Sequence, residues 1–333
     1  MTPPLQPWIF LDVGSTNSRA WLVRQGEIVD ARSLPVGVRD SAREGDTRHV
    51  RHAVAELVRA LAPADGRYGL AAAGMISSAQ GIAEVPHITA PASAEDLARA
   101  SVPVAAPDIA AVPLVLVPGV RTPGADGFSE DVMRGEETLA IGLLERGLMT
   151  APDLLLNAGS HWKLIACDDQ ARVARSRTSL GGEVVHAVQT ATLLAASLPS
   201  GPLAVVLPDW LEAGADAAEE HGLLRALFSV RLLDQRGGVT PDERFAWMAG
   251  ACIGDDIRAL VRSGRLKAGQ RVLVSGPGAI PASWAHLLRR QGCDPRVLDA
   301  GEIEQAFVAG LWRIITSLDA DGGARLTHQR EVG

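Results

Sequence analysis

Two stretches of the chain follow the same plan. Trp8–Val13 and Arg19–Val23 are short apolar runs joined by Gly14, Ser15, Thr16 and Asn17, with Gly26 as a second turn point. About 145 residues later, Asp153–Leu156 and Trp162–Ala166 are joined by Asn157, Ala158, Gly159 and Ser160. Short apolar runs broken by Gly, Asn and Ser read as β-hairpins. Such a repeat predicts two similar lobes, with a cleft where the two polar turns face each other. Residues 1–148 form the expected N-terminal lobe and residues 149–333 the C-terminal one, the last helix being free to pack back on the first lobe. A length of 333 residues fits two domains of ordinary size.

The rest of the chain alternates helix and strand. Val50, Val54, Leu57, Val58 and Leu61 share a helical stripe behind the cap residues Asp46 and Thr47. A strand of small residues is expected at Gly69–Gly74, a helix between loops within Thr89–Pro113, a strand at Leu114–Val117 and a helix at Glu136–Arg146. Beyond the second hairpin, helices are expected at Gly182–Ala196, Ala213–Leu227, Asp242–Ser263, Ala282–Gln291 and Glu302–Ser317, with strands at Leu203–Leu207 and Gln270–Val274. Alternation of this kind calls for an α/β fold.

Charge and cysteine content narrow the function classes. With 32 Lys and Arg against 39 Asp and Glu, the net charge is −7, which argues against nucleic acid as a partner. The three cysteines, Cys167, Cys252 and Cys293, show neither a CxxC pair nor a disulfide framework, so a reducing, cytoplasmic compartment is expected. The first apolar run already contains Asp12 and reads as a strand rather than a secretion signal. The longest uncharged stretch, Ala187–Pro208, is broken by Pro199, Ser200, Gly201 and Pro202, so no membrane span is expected.

Three glycine turns and one acidic helix start carry candidate chemistry. At the first turn Gly14 lets backbone approach an anion, the hydroxyls of Ser15 and Thr16 donate to phosphate oxygens, and Asp12 is placed to hold hydrated Mg2+. Asn157, Gly159 and Ser160 repeat the device, and Lys163 adds a cation. No Gly-x-x-x-x-Gly-Lys-Ser/Thr loop is present. A third turn, Val274–Ala279, offers Gly276 and Gly278 as a surface against an adenine ring. Asp131–Thr138 is expected to open a helix, with Glu136 receiving the proton of an attacking hydroxyl and Glu137 or Asp131 assisting the metal. The polar loop from Gly74 to Gly81, followed by Glu84–His87, suits a cover over a small polyhydroxylated substrate. His49, His52 and His186 lack metal-ligand spacing, and Ser160–His161 lacks the elbow and third partner of a hydrolase.

The order Asp12-x-Gly-Ser-Thr-Asn-x-Arg-Ala-Trp21, Ala73-Gly-Met-Ile-Ser-Ser-x-Gln-Gly-x-x-Glu-Val-Pro86, Pro118-Gly119, Asp131-Val-Met-Arg-Gly-Glu-Glu-Thr138 and Gly159-Ser-His-x-Lys163 resembles the 2-dehydro-3-deoxygalactonokinase family over nearly the whole chain. Val13 and Ala79 stand where that family commonly has Trp and Arg, and Leu156–Leu164 departs from its usual second turn while Lys163 keeps its offset from the glycine. The resemblance implies two ribonuclease-H-like lobes of the actin- and hexokinase-like ATPase superfamily around a nucleotide cleft. It also implies ATP and Mg2+ as cofactors, and transfer of the γ-phosphate to the C6 hydroxyl of 2-dehydro-3-deoxy-D-galactonate in galactonate catabolism. A buried substrate carboxylate needs a cation, for which Arg134 and Arg19 are the candidates, with Asn17, Met75 and Gln80 on the sugar side. A kinase of the same superfamily for another sugar or sugar acid, and a catalytically silent nucleotide-binding sensor, stay open as alternatives. The oligomeric state, homo-oligomers included, is not fixed by these residues.

Overall fold

The computed structural model describes residues 6–39, 41, 45–125 and 129–320. Among them, backbone contacts separate two compact units that are interleaved along the chain. The first takes in the described residues of Met1–Ala151, Cys167–Ser176 and Ala300–Gly333, and the second comprises Pro152–Ala166 and Arg177–Asp299.

The first unit is built on β1 (Trp8–Val13), β2 (Ser18–Arg24), β3 (Glu27–Leu34), β4 (Gly69–Gly74), β6 (Val102–Val104) and β7 (Leu114–Leu116), in the order β3-β2-β1-β4-β7-β6. β1, β2 and β3 form an antiparallel meander, β4 lies parallel to β1, and β7 lies parallel to β4. Side chains alternate across β1, so Ile9, Leu11 and Val13 face one way. They meet Val50, Val54, Leu57, Val58 and Leu61 of α1 (Arg48–Leu61) in one core cluster. Phe10, on the other face, lies 6.3 Å from Trp312 of α9 (Ala300–Ala320), and Trp21 stacks at 5.6 Å on Phe307 of the same helix. α9 packs in turn along α3 (Glu136–Glu145). That contact is close enough that a methyl group on Gly310 would sit 2.0 Å from the Thr138 carbonyl oxygen. A small sheet of β5 (Ile88–Thr89), β8 (Val120–Thr122) and β9 (Asp131–Met133) and the short α2 (Ala94–Ala100) complete this unit.

The second sheet has the order β12-β11-β10-β13-β14, from β10 (Leu154–Ala158), β11 (Trp162–Cys167), β12 (Val173–Ser179), β13 (Arg271–Ser275) and β14 (Asp294–Val297). β10 is antiparallel to β11 and parallel to β13, as β1 is to β2 and β4. The repeat in the sequence is thus a repeat of topology. Leu154, Leu156 and Ala158 pack with Phe245, Met248, Ala249 and Ile253 of α7 (Pro241–Arg262). The remaining helices are α4 (Gly181–Ala191), α5 (Pro208–His221), α6 (Leu223–Arg236) and α8 (Ile280–Arg290).

Three expectations about elements need correction. Leu203–Leu207 is not a strand: Leu203 is buried while Val205 is half exposed, and Pro208 already opens α5. The helix expected at Ala213–Leu227 is two helices, because Gly222, at φ +83°, ends α5. Asp131–Met133 is strand, and the helix begins only after Gly135 at φ +107°.

Candidate active site

The first turn sits at the end of β1, closed by the Gly14 amide donating to the Asn17 carbonyl at 2.9 Å. Gly37 supports it from behind: a methyl group there would lie 2.4 Å from backbone atoms of Ser15 and Thr16. Val38 and Arg39 amides donate to the Gly14 and Ser15 carbonyls at 3.1 and 2.9 Å, which ties the turn to the segment after β3. Thr16 and Asn17 are exposed and linked by a 2.9 Å hydrogen bond between side chains, while Gly14 and Ser15 are half-buried.

Asp12 precedes this turn on the face of β1 that carries Trp8 and Phe10. Its carboxylate is one quarter exposed and lies 4.0 Å from the exposed Arg19 guanidinium, opposite it on β2. Desolvation pushes its pKa up to about 6, opposed by Arg19 and reinforced by the negative charge of Glu136. Asp12 and Glu136 are therefore electrostatic neighbours. Two glycines make room for this approach: a methyl on Gly74 would meet the Val13 carbonyl oxygen at 2.7 Å, and one on Gly135 would meet Gly74 at 3.0 Å.

The two acidic residues that open α3 divide their work. Glu136 is half-buried and accepts from the Arg134 amide at 3.1 Å. Glu137 is fully buried, and both its oxygens accept from the Gly135 amide, at 2.7 and 2.8 Å. It caps the helix that carries Glu136, a common station for an acid in a first helical turn, and so does not present the open oxygen that a metal ligand needs. Asp131 accepts instead from Ser176 at 2.5 Å.

Arg134 is turned onto the polar loop. Its guanidinium donates to the Ser77 carbonyl and hydroxyl at 2.6 and 2.8 Å, to the Val85 carbonyl at 3.0 Å, and lies 3.3 Å from both nitrogens of His87. Burial holds its pKa below the ordinary arginine value, against the pull of Glu137 and Glu84. The loop itself is pinned by Ser77, whose hydroxyl reaches the Gly74 and Val117 carbonyls. It leaves Met75 half-buried and Gln80 exposed. Of the two candidate arginines, Arg19 keeps the more open guanidinium.

The second unit carries the matching turn after β10. Asn157 lies opposite Lys163 on β11 and beside Ser275 on β13, whose hydroxyl donates to Asn157 Oδ1 at 3.1 Å. Lys163 is buried. Gly159 and Ser160 follow, half-buried, backed by Gly182, where a methyl would lie 2.3 Å from the Gly159 carbonyl oxygen. At the third turn Gly276 (φ +144°) abuts the Ala158 carbonyl, and Gly278 (φ +66°) is exposed.

Gly14 and Gly159 share one property. Neither has a positive φ, and a methyl on either would make only ordinary contacts, at 3.5 and 3.7 Å. Folding does not require glycine at these two places, whereas close approach of a ligand to the backbone does. Gly37, Gly135 and Gly182 are supporting residues that sequence reasoning missed; the one available signal was the Gly181–Gly182 pair at a helix start, a poor helix former where a cap belongs.

Glycine turns with spare room, a strand-end carboxylate and an acid at a helix start belong to the class of α/β sugar-acid kinases. A family model described as 2-keto-3-deoxy-galactonokinase matches residues 12–314, and the chain belongs to that family. It is 26% identical over 305 residues to the 2-dehydro-3-deoxygalactonokinase of Escherichia coli (strain K12), covering 91% of this chain and 96% of the relative. Among solved structures it is similar to a candidate 2-dehydro-3-deoxygalactonokinase from Sinorhizobium meliloti, with TM-score 0.75, 22% identity and coverage of 95% and 99% of the two chains. It is also similar to component A of the (R)-2-hydroxyglutaryl-CoA dehydratase of Acidaminococcus fermentans, with TM-score 0.53, 15% identity and coverage of 94% and 99%.

Proposed function

We propose that the chain transfers the γ-phosphate of ATP to the C6 hydroxyl of 2-dehydro-3-deoxy-D-galactonate, a step of galactonate catabolism. The observation that carries this reading is the Asp12 carboxylate, with its pKa pushed up to about 6 beside a turn whose Gly14 has room for a ligand, within a family match spanning residues 12–314. The finer fold reading, two ribonuclease-H-like lobes of the actin-like ATPase fold, is supported by the matching strand orders of the two sheets. In it, residues 1–148 supply the first phosphate turn and the sugar loop, and residues 149–333 supply the second phosphate turn and the adenosine turn.

Phosphoryl transfer asks a protein for positioning and charge neutralisation more than for covalent chemistry. Gly14 lets phosphate oxygens approach the backbone and Ser15 and Thr16 hold them through amides and hydroxyls, while Asn157, Gly159, Ser160 and Lys163 take the same role at the repeated turn. Gly276 and Gly278 border the adenosine. Mg2+ takes hard oxygen donors, with one or two carboxylates beside waters and substrate phosphates. Among the described residues no group of three or more His, Cys, Asp or Glu is arranged as a metal cage. Asp12 fits the one-carboxylate mode, because a cation there would offset the desolvation cost its raised pKa records. Bound at Asp12, Mg2+ would neutralise phosphate charge. Glu136 receives the proton of the attacking C6 hydroxyl, and Arg19 meets the substrate carboxylate, with Asn17, Met75 and Gln80 against the sugar chain. Arg134 holds the sugar loop in shape and hands its backbone amide to Glu136.

A coupled ATP assay across epimeric 2-keto-3-deoxy sugar acids tests the reading. The galacto acid is expected to show the highest kcat/KM. A different preferred epimer replaces the substrate assignment, and no phosphoryl transfer to any of them refutes the kinase reading.

A further inference from the structure

We infer that Asp256 is a positioning residue for the second phosphate turn, acting through Ser179 and the glycine pair that opens α4. The inference rests on the kinase reading above and extends it to a residue that touches no substrate.

Asp256 stands on α7, and its Oδ2 accepts from the Ser179 hydroxyl at 2.6 Å. Ser179 is the last residue of β12, and its Oγ accepts in turn from the Gly181 amide at 3.4 Å. The start of α4 is then fitted against the turn with no slack. A methyl on Gly181 would lie 2.0 Å from the Trp162 ring, and one on Gly182 would lie 2.3 Å from the Gly159 carbonyl oxygen and 2.6 Å from that of Ser160. The Glu183 amide closes the contact with a 2.8 Å hydrogen bond to the Ser160 carbonyl. Asp256 therefore anchors the strand end from which the wall behind Gly159 and Ser160 is hung.

A half-buried carboxylate at this place is costly, which argues for a purpose. Desolvation pushes its pKa up to about 6, with neighbouring Asp255 adding to the rise and the Ser179 hydroxyl and Arg177 opposing it. Cys252 lies one turn back on α7, and Arg258, two residues further along the helix, is turned to Asp255, to the Ala215 carbonyl and, at 3.9 Å, to Glu219 of α5. An ionised carboxylate makes a shorter and stronger bond to a hydroxyl than a neutral acid does, so protonation loosens the anchor.

The test uses the full chain and two measurements, calorimetric titration with ATP in the presence of Mg2+ and steady-state kinetics. Asp256→Asn and Ser179→Ala are each expected to weaken ATP binding about tenfold, the loss of one charge-assisted hydrogen bond. KM for ATP should rise, while kcat and KM for the sugar acid stay within about threefold. The double variant should bind no worse than either single one, because both break the same path. Wild-type affinity should fall between pH 7 and 5.5 by more than that of Asp256→Asn; ATP and Asp12 titrate alike in both proteins and cancel. Equal ATP affinity in wild type and variants overturns the inference, as does a parallel rise of both KM values, which marks general loosening. If Asp256→Asn does not fold, Ser179→Ala decides alone. A wild-type chain that binds no ATP overturns the kinase reading and this inference together.

Discussion

Replacing Asp12 by Asn should make the protein more stable and inactive at once. In the folded chain Asp12 binds its proton more tightly than in the unfolded chain, about 6 against 3.8. Below pH 3.8 both states are protonated and the residue costs nothing extra; as pH rises towards 6 only the unfolded chain releases its proton freely, so stability falls across that window and stays low above it. At 1.36 kcal/mol per tenfold change in acidity, the full penalty at pH 8 is on the order of 3 kcal/mol, a ceiling because the carboxylate keeps some contact with water. Asn has the same shape and no charge to desolvate. Urea or thermal unfolding of both proteins at pH 5, 6 and 8 measures the effect. The variant's advantage should already reach about half its full size at pH 5, be nearly complete at pH 6, and stand between 1 and 3 kcal/mol by pH 8, roughly 2 to 10 °C for a cooperative unit of this size. Phosphoryl transfer should meanwhile fall by at least about 10²-fold, the scale for loss of a preorganised electrostatic group. A variant as stable as wild type at pH 8, or less so, would refute the reasoning that places at the end of β1 a negative charge whose desolvation Arg19 only partly offsets.

Three further outcomes are expected. Glu136→Gln should lower kcat by roughly 10²–10⁴-fold without lowering the unfolding midpoint, measured by the same coupled assay; turnover within threefold of wild type removes Glu136 as the base. Gly14→Ala and Gly159→Ala should leave the unfolding midpoint within about 1 kcal/mol, since the added methyl groups have ordinary contacts at 3.5 and 3.7 Å, yet weaken ATP binding by at least tenfold in titration. Gly310→Ala puts a methyl 2.0 Å from the Thr138 carbonyl oxygen, so the α3–α9 contact must part, at a cost of about 1–3 kcal/mol or more that denaturant unfolding will show.

What could be read ahead of the structure was local. β1 and β4 run over the residues expected, and the second hairpin is off by one or two residues, because apolar runs punctuated by Gly, Ser and Asn carry their own turn chemistry. Glu136 was legible as the first residue of a helix. β3 was not, since Glu27–Leu34 alternates only half-buried with exposed side chains at a sheet edge and offers no apolar stripe. Leu203–Leu207 misled for the opposite reason: an apolar run of strand length, of which Ala204 and Val205 are exposed. At the site, the roles of Arg134 and Glu137 follow from groups they meet only in the fold. Arg134 reaches Ser77, 57 residues away, and nothing near it in sequence announces that the guanidinium will be spent on a loop. Gly37 is hidden likewise, fitted to a turn more than 20 residues distant in sequence.

The helix carrying Glu136 leans on α9, whose first residue is Ala300. A ribosome synthesising this protein must therefore release most of the polypeptide before the N-terminal sheet can gain the cover that Phe307 and Trp312 provide over Trp21 and Phe10. Until then the nascent chain holds an aromatic sheet face open to solvent. Truncation even within the last helix should yield an aggregating product rather than a smaller functional one, and chaperone dependence during translation is the natural cost of that late-arriving cover.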